Sequence, residues 1–241
     1  MIGTLRETVR GAAIRLMALR KLGAAVQPGI RFVCYHDVLD HETASLEHQL
    51  GVMARMGTFV DLDGAIDLMA RGGAIATPLF TVTFDDGLET SCSNAWPVFE
   101  RLGIPFSVFI ITSFVGTKGY MGWADIERMA RSPVVTFGSH TVNHRNLARL
   151  SADEVRFELA DSKERIEAAT GKPCDHFCCP WGRPGRDFQP DRDPRIALDV
   201  GYKSFLTTAR GLTRTGDRLP MVKRDVIHMH SSDAELRHFL A

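Results

Sequence analysis

Strand-like and helix-like segments alternate about seven times along this 241-residue chain. Alternation of that kind commits a sequence to a parallel sheet, either open or closed into a barrel. The strand-like runs are short and rich in β-branched and aromatic residues: IRFVCY at 30–35, LFTVTF at 79–84, PFSVFIIT at 105–112, VVTFG at 134–138, HFCC at 176–179 and YKSFLTT at 202–208. MVKRDVIHMH at 221–230 reads as a last strand. Segments of helical period lie between them, and the clearest runs from Ala152 to Thr170. Ser151 stands at its N-cap, Glu154 follows three residues on, and Gly171 ends it, which are the start and stop signals of a helix. SDAELRHFLA reads as a final helix capped by Ser232 or Asp233. One long irregular stretch, Gly182 to Pro194, is of the kind that shapes a site.

Lys plus Arg and Asp plus Glu number 29 each, so no global field favours nucleic acid, and function has to come from a local site. Five cysteines (Cys34, Cys92, Cys174, Cys178, Cys179) are odd in number and scattered, which fits reduced thiols in a cytosolic setting. The run CDHFCCPWG offers Cys174, Cys178 and Cys179 to a metal, but no second CxxC pair accompanies it. Small packed hydrophobes are the expected role for these thiols.

Residues 1–28 are set apart from a main domain at 29–241. Leu5, Val9, Ala12, Leu16 and Leu19 recur at helical spacing, with Arg6, Arg10, Arg20 and Lys21 on a neighbouring face. Arginines interrupt every apolar run, so the segment has neither a signal-peptide core nor a membrane span of about twenty apolar residues. Two readings stand: a helix packed on the domain, or a basic amphipathic helix resting through residues 1–25 on an anionic membrane surface.

In parallel α/β folds, reactive groups gather at the carboxyl ends of strands. Here those ends deliver His36 and Asp37, then Asp85 and Asp86, then Ser139 and His140 with His144 four residues later, then Pro180-Trp181-Gly182. The Asp-Asp-Gly run has an ordinary reading as an exposed turn. Its alternative is a pair of carboxylates whose mutual repulsion a cation relieves. His140 and His144 also have two readings, as surface histidines of a polar loop or as imidazoles that one helical turn brings to one side. Two imidazoles and one carboxylate make a facial set for zinc or a similar divalent ion, and the second aspartate is then placed to take a proton from water.

TFDDG at 83–87 and SHTVNH at 139–144, in that order, resemble the first two motifs of the polysaccharide deacetylase family, the NodB-homology fold of carbohydrate esterase family 4. The resemblance runs from about Arg31 to the C-terminus. It implies a distorted (β/α)7 barrel and metal-dependent hydrolysis of an N-acetyl group on a sugar or glycan. By that likeness Asp85 is the general base, and Asp86, His140 and His144 hold the divalent ion, zinc by expectation. The backbone N–H of Trp181 is the expected oxyanion donor.

Two departures from the family pattern stand out. Its third motif often reads R-x-P-[Y/F]-G, whereas this chain has Cys178 at the arginine's place and FCCPWG in all, closer to a branch that reads FAYPYG. Arg224 is the candidate substitute. The general acid of many members comes from a C-terminal L-x-H, which neither His228 nor His230 fits. CYHDV is similar to the segment that supplies the catalytic histidine in poly-N-acetylglucosamine deacetylases, which assigns His36 to protonate the leaving amine, with Asp37 orienting it. Trp123, Trp181 and Phe114 are candidates to stack on sugar rings or to pack in the core. A cytoplasmic enzyme at the inner membrane face is expected, and lipid-linked or nucleotide-linked aminosugars (deacetylated or deformylated) are the alternative substrates. A catalytically silent carbohydrate-binding module is the rival of a different class.

Overall fold

A computed structural model describes residues 26–240 apart from positions 73, 215 and 218. The expected amphipathic helix at the N-terminus falls on residues 1–25, outside the described residues.

The strands are β1 (Gly29–Tyr35), β2 (Thr58–Phe59), β3 (Pro78–Phe84), β4 (Phe106–Ile110), β5 (Val135–Ser139), β6 (His176–Cys178), β7 (Ser204–Leu206), β8 (Met221–Val222) and β9 (Asp225–Val226). They form one sheet in the order β8-β7-β6-β5-β4-β3-β1-β9, with β2 beside β3 and every named pairing parallel. β2 pairs with Leu79 and Phe80, and β4 takes over from Val82 onward. Helices α1 (Thr43–Ala54), α2 (Leu62–Arg71), α3 (Trp96–Leu102), α4 (Trp123–Met129), α5 (Ala152–Thr170) and α6 (Asp193–Val200) occupy the crossovers, and α7 (Asp233–Leu240) follows the last strand. The architecture is the expected distorted (β/α)7 barrel, a curled parallel sheet wrapped by helices.

Alternation along the strands divides the core in two. Val33, Tyr35, Val82, Phe84, Phe177 and Phe205 face the helices. Ile30, Phe32, Phe109, Cys178, Leu206 and Val222 face the barrel interior, where Leu62, Ala65, Ile66 and Met69 of α2 pack against them. The caps behave as the local chemistry dictates. Ser151 and Glu154 form a capping box on α5, and Gly171 ends that helix in the left-handed conformation at φ 66°. Ser232 rather than Asp233 caps α7, by exchanging hydrogen bonds with Glu235.

The segment read as one last strand is divided. β8 pairs with β7 at one edge of the sheet and β9 with β1 at the other, with only Lys223 and Arg224 between them. The chain itself therefore joins the two edges and closes the barrel. The break in the ladder has a cause: Arg224 at the seam turns its side chain into the interior, where it is fully buried. Among the described residues, no helix is long and apolar enough to cross a membrane.

Candidate metal and catalytic site

The carboxyl ends of β1, β3, β5, β6 and β7 converge on a cavity of about 470 Å³ lined by His36, Asp85, Asp86, His140, His144 and Trp181, with Arg183, Thr208 and Val226 at its margin. Five strands far apart in sequence thus bring their terminal polar residues to one rim, as parallel topology requires.

Backbone conformation marks the same place. Among the described residues, the non-glycine positions with left-handed φ are Asp86 (72°), Thr141 (71°), His144 (53°) and Trp181 (54°), all in the site. Each such residue costs about 1–3 kcal/mol unless its surroundings hold it, and such strain gathers at working sites. Asp86 and Trp181 are each followed by a left-handed glycine, Gly87 (75°) and Gly182 (66°). A Cβ at Gly87 would meet Ile110 at 2.9 Å, and one at Gly182 would meet the Thr208 nitrogen at 2.7 Å. The glycine behind the two aspartates is there because the chain must reverse against β4.

Asp86 Oδ1 lies 3.4 Å from His140 Nε2 and 3.6 Å from His144 Nε2. Two ligand atoms each ~2.1 Å from a tetrahedral centre stand ~3.4 Å apart, so the spacing suits a zinc-sized ion better than direct hydrogen bonds. His140 Nδ1 is 2.8 Å from the Cys178 carbonyl oxygen. A carbonyl only accepts, so Nδ1 carries the proton and Nε2 offers its lone pair to the site. The residues present therefore fit a divalent ion. Burial works against charge on both imidazoles. For His144 it prevails, reinforced by His140, and the pKa falls to about 4. For His140, Asp86 and then Asp85 outweigh burial and raise the pKa. Burial likewise opposes ionisation of Asp86, but His140 holds its carboxyl below the usual range.

The two histidines do not share a helical turn. Residues 140–144 form a loop in which left-handed Thr141 and His144 replace helical periodicity, and the Thr141 hydroxyl accepts the His144 N–H at 2.8 Å. The imidazole centroids end 4.9 Å apart, and the His144 ring meets Trp181 edge-on at 4.7 Å.

Asp85 occupies a different environment from its neighbour. It is buried, and Arg224 grips it bidentately at 2.7 Å to each carboxylate oxygen. Burial pushes its pKa up, but the guanidinium outweighs this and holds it well below the carboxylate range. Arg224 also donates to the Thr207 carbonyl, the Thr83 hydroxyl and the Cys178 sulfur. The arginine expected as a substitute at 224 thus reaches the aspartate from the barrel seam, over the thiol at 178. Cys34 and Cys178 place their sulfurs 3.4 and 3.5 Å from the same carboxylate. Cys178 is thus more than the small hydrophobe expected of it.

One nitrogen of His36, the Cys34 sulfur and one Asp85 oxygen lie within 4.8 Å of one another. His36 is exposed on the cavity wall, whereas His228 and His230 stack on each other at 5.3 Å in an adjoining cavity that His36 also lines. Asp37 does not orient His36: its carboxylate accepts the Thr90 hydroxyl at 2.5 Å. Trp181 is 48% exposed, and its carbonyl is held by the Thr208 hydroxyl. Its N–H has no acceptor among the described residues. Trp123 packs against the core and Phe114 packs edge-on against Tyr120, both away from the cavity lining.

Sequence reasoning missed Glu158. It sits on the buried stripe of α5 with Val155, Leu159, Ser162 and Ile166, and its carboxylate accepts the N–H groups of Val142 and Asn143 at 2.9 and 2.8 Å. A glutamate on the apolar face of an otherwise regular amphipathic helix was the available signal.

Residues 75–204, more than half of the chain, match the family model described as Polysaccharide deacetylase. YxkH of Bacillus subtilis (strain 168), a protein named for polysaccharide deacetylase, is 27% identical over 130 residues, covering 54% of this chain and 44% of that protein. The chain thus matches less than half the length of this curated relative. Among solved structures, IcaB from Ammonifex degensii superposes with a TM-score of 0.79 at 25% identity, covering 89% of this chain and 98% of that one. The Streptococcus pyogenes deacetylase PplD, solved in complex with acetate, superposes with a TM-score of 0.77 at 23% identity over 89% of this chain and 100% of that one.

Proposed function

Because this chain belongs to the polysaccharide deacetylase family, we propose that it is a metal-dependent hydrolase removing an N-acetyl group from an N-acetylated sugar or glycan. The observation that carries the reading is the asymmetry of the two aspartates. Asp86 faces two imidazoles at ligand spacing, while Asp85, on the same cavity, is buried and clamped by Arg224. Two carboxylates in unlike environments divide two tasks.

Asp86, His140 and His144 are the residues that would hold the ion. When bound it supplies Lewis acidity that polarises an amide carbonyl and acidifies water. Asp85 is ionised throughout the neutral range and accepts the proton of the attacking water. The Arg224 grip that orients Asp85 also lowers its basicity, so the residue serves where the water is already acidified. The Trp181 backbone N–H, without an acceptor among the described residues, donates to the substrate oxygen as negative charge gathers on it. His36, which lines the same cavity beside Asp85, protonates the departing nitrogen, so that acetate and a free amine leave. Its place on the cavity wall with Asp85 favours it over His228 and His230.

Retention of Asp85, Asp86, His140 and His144 speaks against a silent binding module on this fold. The proposal includes residues 1–28 as a segment preceding the catalytic domain at 29–241, with peripheral contact to an inner membrane through the basic residues of 1–25. Recovery in washed membranes, lost on deleting those residues, tests that part. For the chemistry, Asp85→Asn should abolish acetate release from N-acetylglucosamine oligomers while zinc still binds, and His140→Ala should lose both. Full turnover by either variant refutes the assignment.

A further inference from the structure

We infer that Glu158 is a positioning residue that holds the His140–His144 loop in its ion-binding shape. The inference rests on the reading that this loop carries two of three metal ligands. Glu158 is 1% exposed, and among the described residues no cation forms a salt bridge with it. A carboxylate taken from water without a counter-ion is costly unless hydrogen bonds replace its hydration. Three do so here. Oε2 accepts the backbone N–H groups of Val142 and Asn143, and Oε1 accepts the Asn143 side-chain amide at 2.9 Å.

All three donors lie between the two histidines. A loop with left-handed residues at 141 and 144 has no ladder of its own to satisfy its N–H groups, so an acceptor must come from elsewhere. Helix α5 supplies it, and one turn further on it adds a second brace. Ser162 bonds Ser139 at 2.6 Å, and the Ser139 hydroxyl accepts the Thr141 N–H at 3.2 Å. The rest of the loop is tied to the chain beyond β4, where the N–H groups of Thr112 and Ser113 donate to the carbonyls of Thr141 and Val142. The N–H groups of Val142 and Asn143 therefore depend on α5, whereas those of His140 and His144 go to the Ile110 carbonyl and the Thr141 hydroxyl, so α5 sets the stretch that joins the two imidazoles. Negative charge behind the loop also favours a cation in front of it.

The substitutions separate shape from charge. In Glu158→Gln the single carbonyl oxygen still accepts both backbone N–H groups, and a flip of the Asn143 amide presents an oxygen to the new NH2 group. Glu158→Ala leaves both N–H groups buried without an acceptor, and Glu158→Asp withdraws the acceptor by one methylene. Zinc affinity of the folded, metal-free proteins is measured by competition with a chromophoric chelator. The expected result is a loss of about 10–100-fold for Ala and a smaller loss for Asp, with Gln within about fivefold of the unsubstituted chain. A purely structural role would lower the unfolding midpoint of the metal-free protein and leave zinc affinity unchanged. Affinity within about twofold for the Ala variant overturns the inference. If that variant does not fold, the same result for Asp does so. Zinc failing to bind the unsubstituted chain overturns both this inference and the functional reading, whereas normal binding with insensitive variants overturns this inference alone.

Discussion

Replacing Arg224 by Met keeps an unbranched apolar stem and removes the guanidinium with its charge and all its side-chain hydrogen bonds. Arg224 has no solvent exposure, and both of its 2.7 Å contacts to Asp85 lie in the interior. Removing one partner of a buried pair leaves an uncompensated charge and costs about 3–5 kcal/mol at neutral pH. For a domain of this size that corresponds to a fall in Tm of roughly 6–20 °C. In the unsubstituted chain the Asp85 pKa is depressed, so its contribution to stability is present above the unfolded value near ~4 and is lost as pH falls through the lower folded value. In Arg224→Met the largest opposing influence is gone, and burial outweighs the smaller pull of His140 and His36 and raises that pKa above the unfolded value, so the penalty of the substitution should shrink as pH is lowered. Urea unfolding at pH 7 and pH 5 measures the difference, and the acid limb of kcat/KM should move to higher pH. Asp85→Asn combined with Arg224→Met should recover roughly half of the lost stability or more, because no buried charge remains. A loss below about 1 kcal/mol that does not vary with pH would refute the reasoning.

Metal binding requires neutral imidazoles, and with the His140 pKa raised and that of His144 near 4, one proton should compete with zinc. Below the His140 pKa, chelator competition should show affinity falling about tenfold per pH unit, and a two-proton slope already at pH 6 would contradict this. Trp181→Ala keeps the backbone N–H and removes the exposed ring, so KM for N-acetylglucosamine oligomers should rise roughly three- to tenfold with kcat nearly unchanged. An equal fall in kcat would instead tie the ring to the chemical step. In Gly138→Ala the new Cβ would lie 2.4 Å from the Phe109 ring and 2.8 Å from the His176 carbonyl oxygen. Overpacking between β4, β5 and β6 should cost about 1–3 kcal/mol in urea unfolding, and an unchanged midpoint would show that the interior can shift.

Most of the architecture was legible because its signals are local. The short β-branched runs, the Ser151 and Glu154 cap, and the glycines that end α3 and α5 each act within a few residues of themselves, and the structure follows them. The rim position of Asp85, Asp86, His140 and Trp181 was legible too, since each immediately follows a strand or lies within a few residues of its end. Two inferences about local side-chain direction failed. HxxxH suggested a helical turn, and the chain uses two left-handed residues instead. YHD suggested that Asp37 serves His36, and Thr90 claims it.

The sequence alone, through period, caps and strand-end chemistry, determined that the chain would build a parallel barrel with acidic and imidazole groups on one rim, because those properties depend on near neighbours. The closure of the barrel through Met221–Val226, the arrival of Arg224 on Asp85 from 139 positions away, and the Glu158 brace behind the histidine loop were decided only in the folded molecule. Pairing across such distances depends on which side chains share an interior, and that is a property of the assembled sheet rather than of any segment of it.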